Sequence, residues 1–187
     1  MAYRMVVGLG NPGPEYERTR HNAGFLVIER LAEELGARYW KSECGAAVAH
    51  VKHGGEELLL VKPQSYMNTS GGPVSKLAAA HGIAPRDVLV IHDDMDIEPG
   101  CIRVKVGGGH GGHNGLKSLN AKLAGNEYTR VRVGLGHPPG RKPGADFVLQ
   151  VPRGADAEAY QQALDLAFLA VRCVLDDGAT AAMNRYN

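Results

Sequence analysis

No apolar stretch in the 187-residue sequence approaches the roughly 20 residues that a membrane-spanning helix needs, and the first residues lack the apolar region of a secretory signal. These absences predict a cytoplasmic protein with no membrane partner. Cysteine is scarce: Cys44, Cys101 and Cys173 are odd in number and widely spaced, which disfavours a disulfide framework or a zinc knuckle. The expectation is reduced, mostly buried thiols without a role. Also missing are an H-E-x-x-H pair, a G-x-S-x-G nucleophile elbow, a cysteine–histidine signature and the G-K-[ST] ending of a P-loop. Without an evident covalent nucleophile, direct attack by water is the expected reaction type.

What is present suits one globular domain, residues 1–187, because 44% hydrophobic content at this length can build a substantial core. The formal net charge of +1 hides a strong asymmetry. Between Cys101 and Arg153, nine basic residues (Arg103, Lys105, Lys117, Lys122, Arg130, Arg132, Arg141, Lys142 and Arg153) face only Glu127 and Asp146. That segment carries +7, leaving −6 on the remainder. A solvated basic face is the ordinary explanation, and a phosphate-backbone partner is the functional one.

Hydrophobic periodicity predicts a buried strand over Arg4–Gly8 and an amphipathic helix over Asn22–Leu35, stopped at Gly36. Ala46–Val51 and Glu57–Val61 read as a hairpin across His53-Gly54-Gly55, and a polar connection, Gln64–Asn68, leads to a helix near Pro73–His81. Asp87–Ile91 suits a central strand ending in His92-Asp93-Asp94. Strands over Cys101–Val106 and Thr129–Leu135 flank a glycine loop, Gly107–Gly112, and a helix near Asn114–Leu123. Gly136–Gly144 reads as a basic Pro/Gly loop, and Asp156–Asp176 as one long helix. This order predicts an α/β fold: a single three-layer domain whose central mixed β-sheet is flanked by helices, with its site outside the carboxyl ends of the strands.

Gly8-Leu9-Gly10-Asn11-Pro12-Gly13 matches the G-x-G-x-x-G of a dinucleotide loop, but its context does not. Pro12 and Gly13-Pro14 postpone the helix that should open behind the third glycine, and no acidic residue ends a second strand at the required spacing. The loop is instead expected to present an exposed Asn11. His21, at the boundary between this loop and the following helix, is a candidate general base. Asp93 is the carboxylate that could orient it, and Thr19 or Asn22 is expected to cap the helix. His92, Asp93, Asp94, Asp96, His110 and His113 offer metal-ligand chemistry without a metal-site spacing, and the glycine loop is expected to be poorly preorganised for a closed site. Asn11, Asn68 and Asn114 could together bind a peptide main chain and polarise a carbonyl. Each is also an ordinary turn or cap residue.

These motifs form one ordered series: GLGNPG at Gly8–Gly13, Tyr16-x-x-Thr19-Arg20-His21-Asn22-x-Gly24, Tyr66-Met67-Asn68-x-Ser70-Gly71, His92-Asp93-x-x-Asp96, GGGHGGHNGLK at Gly107–Lys117, and RVRVGLGHP at Arg130–Pro138. The series resembles bacterial-type peptidyl-tRNA hydrolase along essentially the whole chain. The resemblance implies a monomeric α/β hydrolase, free of metal and cofactor, that cleaves the ester joining a peptide to the terminal ribose of tRNA. It implies His21 as general base, Asp93 as its support and Asn11 beside the scissile ester. Tyr16, Tyr66, Asn68 and Asn114 become substrate-binding residues, and Arg103, Lys105 and Arg132 meet the tRNA acceptor end. The same fold hosts an RNA-binding splicing factor without hydrolase activity, so a binding module is the rival expectation.

Overall fold

A continuous apolar strand is stable only when covered on both faces, and the centre of this protein is built from three such strands. The computed structural model describes residues 2–187. Strand β1 (Met5–Gly8) lies between β4 (Glu56–Pro63) and β5 (Val88–Asp94), parallel to both. Val6, Leu58, Leu60, Leu89 and Ile91 enter one core, while Met5, Val7, Leu59, Val61, Val88 and Val90 enter the other. The alternation is that of a sheet covered on both sides.

The remaining strands are β2 (Lys41–Glu43), β3 (Ala46–His53), β6 (Ile102–Val106) and β7 (Thr129–Gly134), giving the order β2-β3-β4-β1-β5-β7-β6. The β2–β3, β3–β4 and β6–β7 pairs are antiparallel and the inner pairs parallel, so the sheet is mixed as expected. Helices α1 (Ala23–Glu34), α5 (Ala155–Asp177) and α6 (Ala179–Tyr186) cover one face; α2 (Gly71–His81) and α3 (Asn114–Lys122) cover the other. A short helix, α4 (Gly144–Val148), follows the basic loop.

The C-terminal helices and the cysteines depart from expectation. The helix over Asp156–Asp176 is followed by α6 beyond Gly178, whose φ of 92° breaks the helical path. Only Ala182 of α6 is fully buried, so the segment has little apolar signal. The cysteine expectation is also corrected. Cys173 is buried, but Cys44, in the β2–β3 turn, and Cys101, before β6, are exposed free thiols.

The topology places a site between β1 and β5. Strand β1 stops at Gly8, opposite Ile91, whereas β5 continues through His92, Asp93 and Asp94 with β7 still paired beside it. The chain therefore peels away from β5 at Leu9, whose amide bonds to the Ile91 carbonyl at 3.0 Å. Crevices of this kind, at the carboxyl ends of strands where connections diverge, are the usual ligand positions of α/β sheets.

Helix α1 is pressed into this seam by glycine. A Cβ on Gly8 would collide with the Gly24 carbonyl, and one on Gly24 with the Leu9 backbone and the Ile91 carbonyl. In an exposed helix, Gly→Ala gains roughly 1 kcal/mol of propensity. Here the clash is with backbone, which cannot rotate away, and overpacking of this sort costs about 1–3 kcal/mol or more. Gly24→Ala is expected to lower stability in urea denaturation. A neutral or stabilising result would show that the helix–sheet approach is less tight than described.

Candidate active site

Asp93 is the last residue but one of β5, and it is 2% exposed. A carboxylate buried this far needs partners for both oxygens, and it receives one from each side of the sheet. His21, in the 3₁₀ turn Arg20–Asn22 that opens α1, places Nδ1 2.7 Å from Oδ2. His113, which precedes α3, places Nε2 2.9 Å from Oδ1.

The protons on this chain of groups follow from the helix end. His113 is the N-cap of α3, where Nδ1 accepts from the amides of Gly115 and Leu116 at 3.1 and 3.3 Å. An accepting Nδ1 carries no proton, so His113 donates Nε2–H to Asp93. His21 likewise donates Nδ1–H, leaving its Nε2 as an acceptor beside the cleft. Burial alone would push the His21 imidazole down, but the Asp93 charge and hydrogen bond outweigh it and raise its pKa above 6.5. Burial works in the opposite direction on Asp93, and the His21 and His113 imidazoles overcome it, holding the carboxyl well below its usual range.

The cleft has a volume of about 280 Å³ and is lined by His21, Asp93, Asn114, the Gly111-Gly112 turn, His137 and Val148, among others. Of the three expected amides, only Asn114 lines it. Asn68 is exposed on the turn Met67–Thr69. Asn11 corrects the expectation of an exposed residue, because it is 7% exposed and held from two directions. The Asn22 side chain pairs with both the N–H and the carbonyl of Asn11, each at 2.9 Å, and the Met67 amide donates to Asn11 Oδ1 at 2.7 Å. That last bond fixes the amide orientation, leaving Nδ2 as the free donor. Asn22 is thus a loop clamp in place of the expected cap, and Thr19 bonds back to the Tyr16 carbonyl. Tyr16 and Tyr66 meet edge to face with centroids 6.3 Å apart.

The broad set of metal-ligand candidates separates. His92 is buried, donates Nδ1–H to the Asp93 carbonyl at 2.8 Å, and is pushed down to about 3 by burial and by His113. Asp94 pairs with Arg132 at 2.9 Å, and Asp96 with His137 at 2.8 Å. His21, Asp93 and His113 alone among the described residues have ligand atoms clustered within 4.8 Å. His113 was missed as a partner of Asp93 because its role depends on the end of α3, which spacing along the chain does not reveal. Within the glycine loop, His110 Nδ1 accepts from the Gly112 amide at 2.9 Å.

Arg20 ties the His21 turn to its surroundings. Its guanidinium lies 4.0 Å from the Phe147 ring centre and donates to the Phe147 carbonyl at 3.2 Å, while its backbone N–H bonds to the Gln150 carbonyl at 3.1 Å. On the far side of the cleft, Arg103 stands opposite Arg132, and Lys105 opposite Arg130, across the β6–β7 ladder. Like charges directly opposite one another weaken a sheet; Arg103 and Lys105 are exposed and suit an anionic partner, whereas Arg130 is buried and Arg132 is paired with Asp94.

The chain is similar to known proteins along nearly its whole length. A family model described as peptidyl-tRNA hydrolase matches residues 5–187. A peptidyl-tRNA hydrolase of Nocardia farcinica is 46% identical over 97% of this chain and 94% of its own length; one of Anaeromyxobacter dehalogenans is 46% identical over 98% and 96%. The crystal structure of peptidyl-tRNA hydrolase from Acinetobacter baumannii superposes with a TM-score of 0.91, at 37% identity, covering 99% of this chain and 94% of that one.

The paired shifts have a measurable signature. His21, raised by Asp93, adds stability that is complete below about pH 6.5 and is lost as pH rises through its folded value. Asp93, depressed, adds stability that is present above its ordinary value of about 3.9 and is lost as pH falls through its folded value. In Asp93→Asn only desolvation acts on His21, so its NMR titration should move below 6.5 and its contribution to stability should reverse, rising with pH near neutrality. An unmoved His21 titration would refute the coupling.

Proposed function

The chain belongs to the peptidyl-tRNA hydrolase family, and we propose that it hydrolyses the ester between a peptide and the 3′-terminal ribose of tRNA, with His21 as general base. The observation that carries this mechanism is the 2.7 Å contact between His21 Nδ1 and Asp93 Oδ2, which leaves Nε2 beside the cleft as a proton acceptor.

In this reading His21 Nε2 takes a proton from water as the water oxygen attacks the ester carbonyl. Asp93 stabilises the imidazolium that forms. The tetrahedral intermediate then expels the ribose oxygen, which receives the proton back from His21. Asn11 Nδ2 and Asn114 are assigned to the substrate carbonyls, where amide donors can stabilise developing negative charge. Exposed Tyr66, with Tyr16 packed against it, and Asn68 offer a surface for the peptide. Arg103, Lys105 and Arg132 receive the acceptor-stem phosphates. No described helix is long and apolar enough to cross a membrane, and we place the activity in the cytoplasm, in a monomer, with no cofactor.

His21→Ala should lose roughly 10²–10⁴-fold in turnover, the usual worth of a positioned base, while still binding peptidyl-tRNA. Prolonged chelation should leave the wild-type rate intact. Near-wild-type turnover in the variant would reject His21 as the base, and a chelation loss restored by zinc would favour a metal-activated water.

The basic rungs are tested separately. Lys105→Ala or Arg132→Ala should weaken tRNA binding and flatten its log–log salt dependence by up to about 1 for each phosphate no longer neutralised. Hydrolysis of a minimal acyl-nucleoside should change little. An equal loss on that small ester would move these residues into the reaction centre.

A further inference from the structure

Among the described residues, Arg130 is a buried cation with no carboxylate partner. It is 2% exposed, and its side-chain hydrogen bonds run only to carbonyls: Nη1 to Gly109 and Nη2 to Gly108. Its guanidinium carbon lies 4.6 Å from the Tyr128 ring centre, and its Nε is buried without a partner. Buried charges are ordinarily paired with an opposite charge, so the two loop carbonyls stand where a counter-ion would be expected.

The loop it holds is continuous with the reaction centre. Gly108 also accepts from Asn126 Nδ2 at 3.0 Å, and its φ of 106° is a backbone conformation that a side chain would strain. Farther along, His110 accepts the Gly112 amide through Nδ1 and the His113 amide through its carbonyl, both at 2.9 Å. His113 then bonds to Asp93, and Asn114 lines the cleft. A segment with five glycines between 107 and 112 loses much conformational entropy on ordering, and a fork that grips two successive carbonyls restrains it at its base.

We propose that Arg130 is a positioning residue for the reaction, holding the Gly107–Gly112 loop in the shape from which His113 braces Asp93 and Asn114 enters the cleft. This rests on the assignment of His21 and Asp93 as the reaction centre. A lysine in its place would keep the charge but lose the planar two-pronged donor.

Arg130→Lys should therefore fold and bind peptidyl-tRNA with a KM and salt dependence close to wild type, while kcat falls about 10–100-fold, the scale of a small misplacement at an active site. Without substrate, amide exchange at 109–113 should accelerate while β5 and β7 keep their protection, and the His113 nitrogen shifts should lose their fixed-tautomer pattern. Arg130→Ala provides a second route: millimolar methylguanidinium should restore part of kcat, and methylammonium should not. Wild-type kcat and loop protection in Arg130→Lys would overturn the proposal. So would a defect confined to KM and the salt slope, which would make Arg130 a phosphate contact, or uniform deprotection of both variants without rescue, which would make it a core residue only. If the wild-type protein failed to hydrolyse peptidyl-tRNA while the exchange and tautomer results held, the assigned function would fall and the loop restraint would stand.

Discussion

The site depends on a carboxylate buried where the two helical layers meet. Asp93 lies at the projecting end of β5, and its two oxygens are taken by imidazoles from opposite sides of the sheet. Neither contact is local in sequence: His21 precedes it by 72 residues, and His113 follows it by 20. Removing a partner from a buried charge costs far more than the net worth of the pair. The arrangement consequently fixes three elements at once: the turn before α1, the end of β5 and the start of α3. The geometry of the candidate site and the tertiary packing are here the same set of contacts.

Much of the fold was legible because the central strands are covered on both faces and therefore spell unbroken apolar runs. Arg4–Gly8 and Asp87–Ile91 are the clearest cases, and the hairpin turned at Gly54-Gly55 where the glycines indicate. The missed elements are those with little buried surface. Strand β2 is the polar triplet Lys41–Glu43 at the sheet edge, α4 spans five residues, and α6 buries one alanine fully. Periodicity has nothing to register in such segments.

The candidate site was legible as a group of residue types and less so as geometry. The order of motifs brought His21, Asp93 and Asn114 forward together, and the structure sets them in one cleft. Asn11 was misjudged as exposed because a proline–glycine loop ordinarily lies in solvent. Its burial comes from Asn22 and from the Met67 amide, 56 residues away. The +7 segment likewise mixes two kinds of charge. Lys105 is exposed, whereas Arg130, directly opposite on β7, is sealed beneath a loop. Net charge counts them equally, and strand alternation puts both on one face of the sheet; only the glycine loop folded over Arg130 separates the two.

The attachment of Arg20 bears on how the cleft can breathe. Through this one residue, the turn carrying His21 is fastened to the ring and carbonyl of Phe147 and to the carbonyl of Gln150. One wall of the opening, α4, thus shares a footing with the imidazole itself, while the basic segment before it is exposed and rich in proline and glycine. The segment and the imidazole therefore differ in how they are held: residues 137 and 139–143 lie exposed, whereas the His21 turn is anchored to α4.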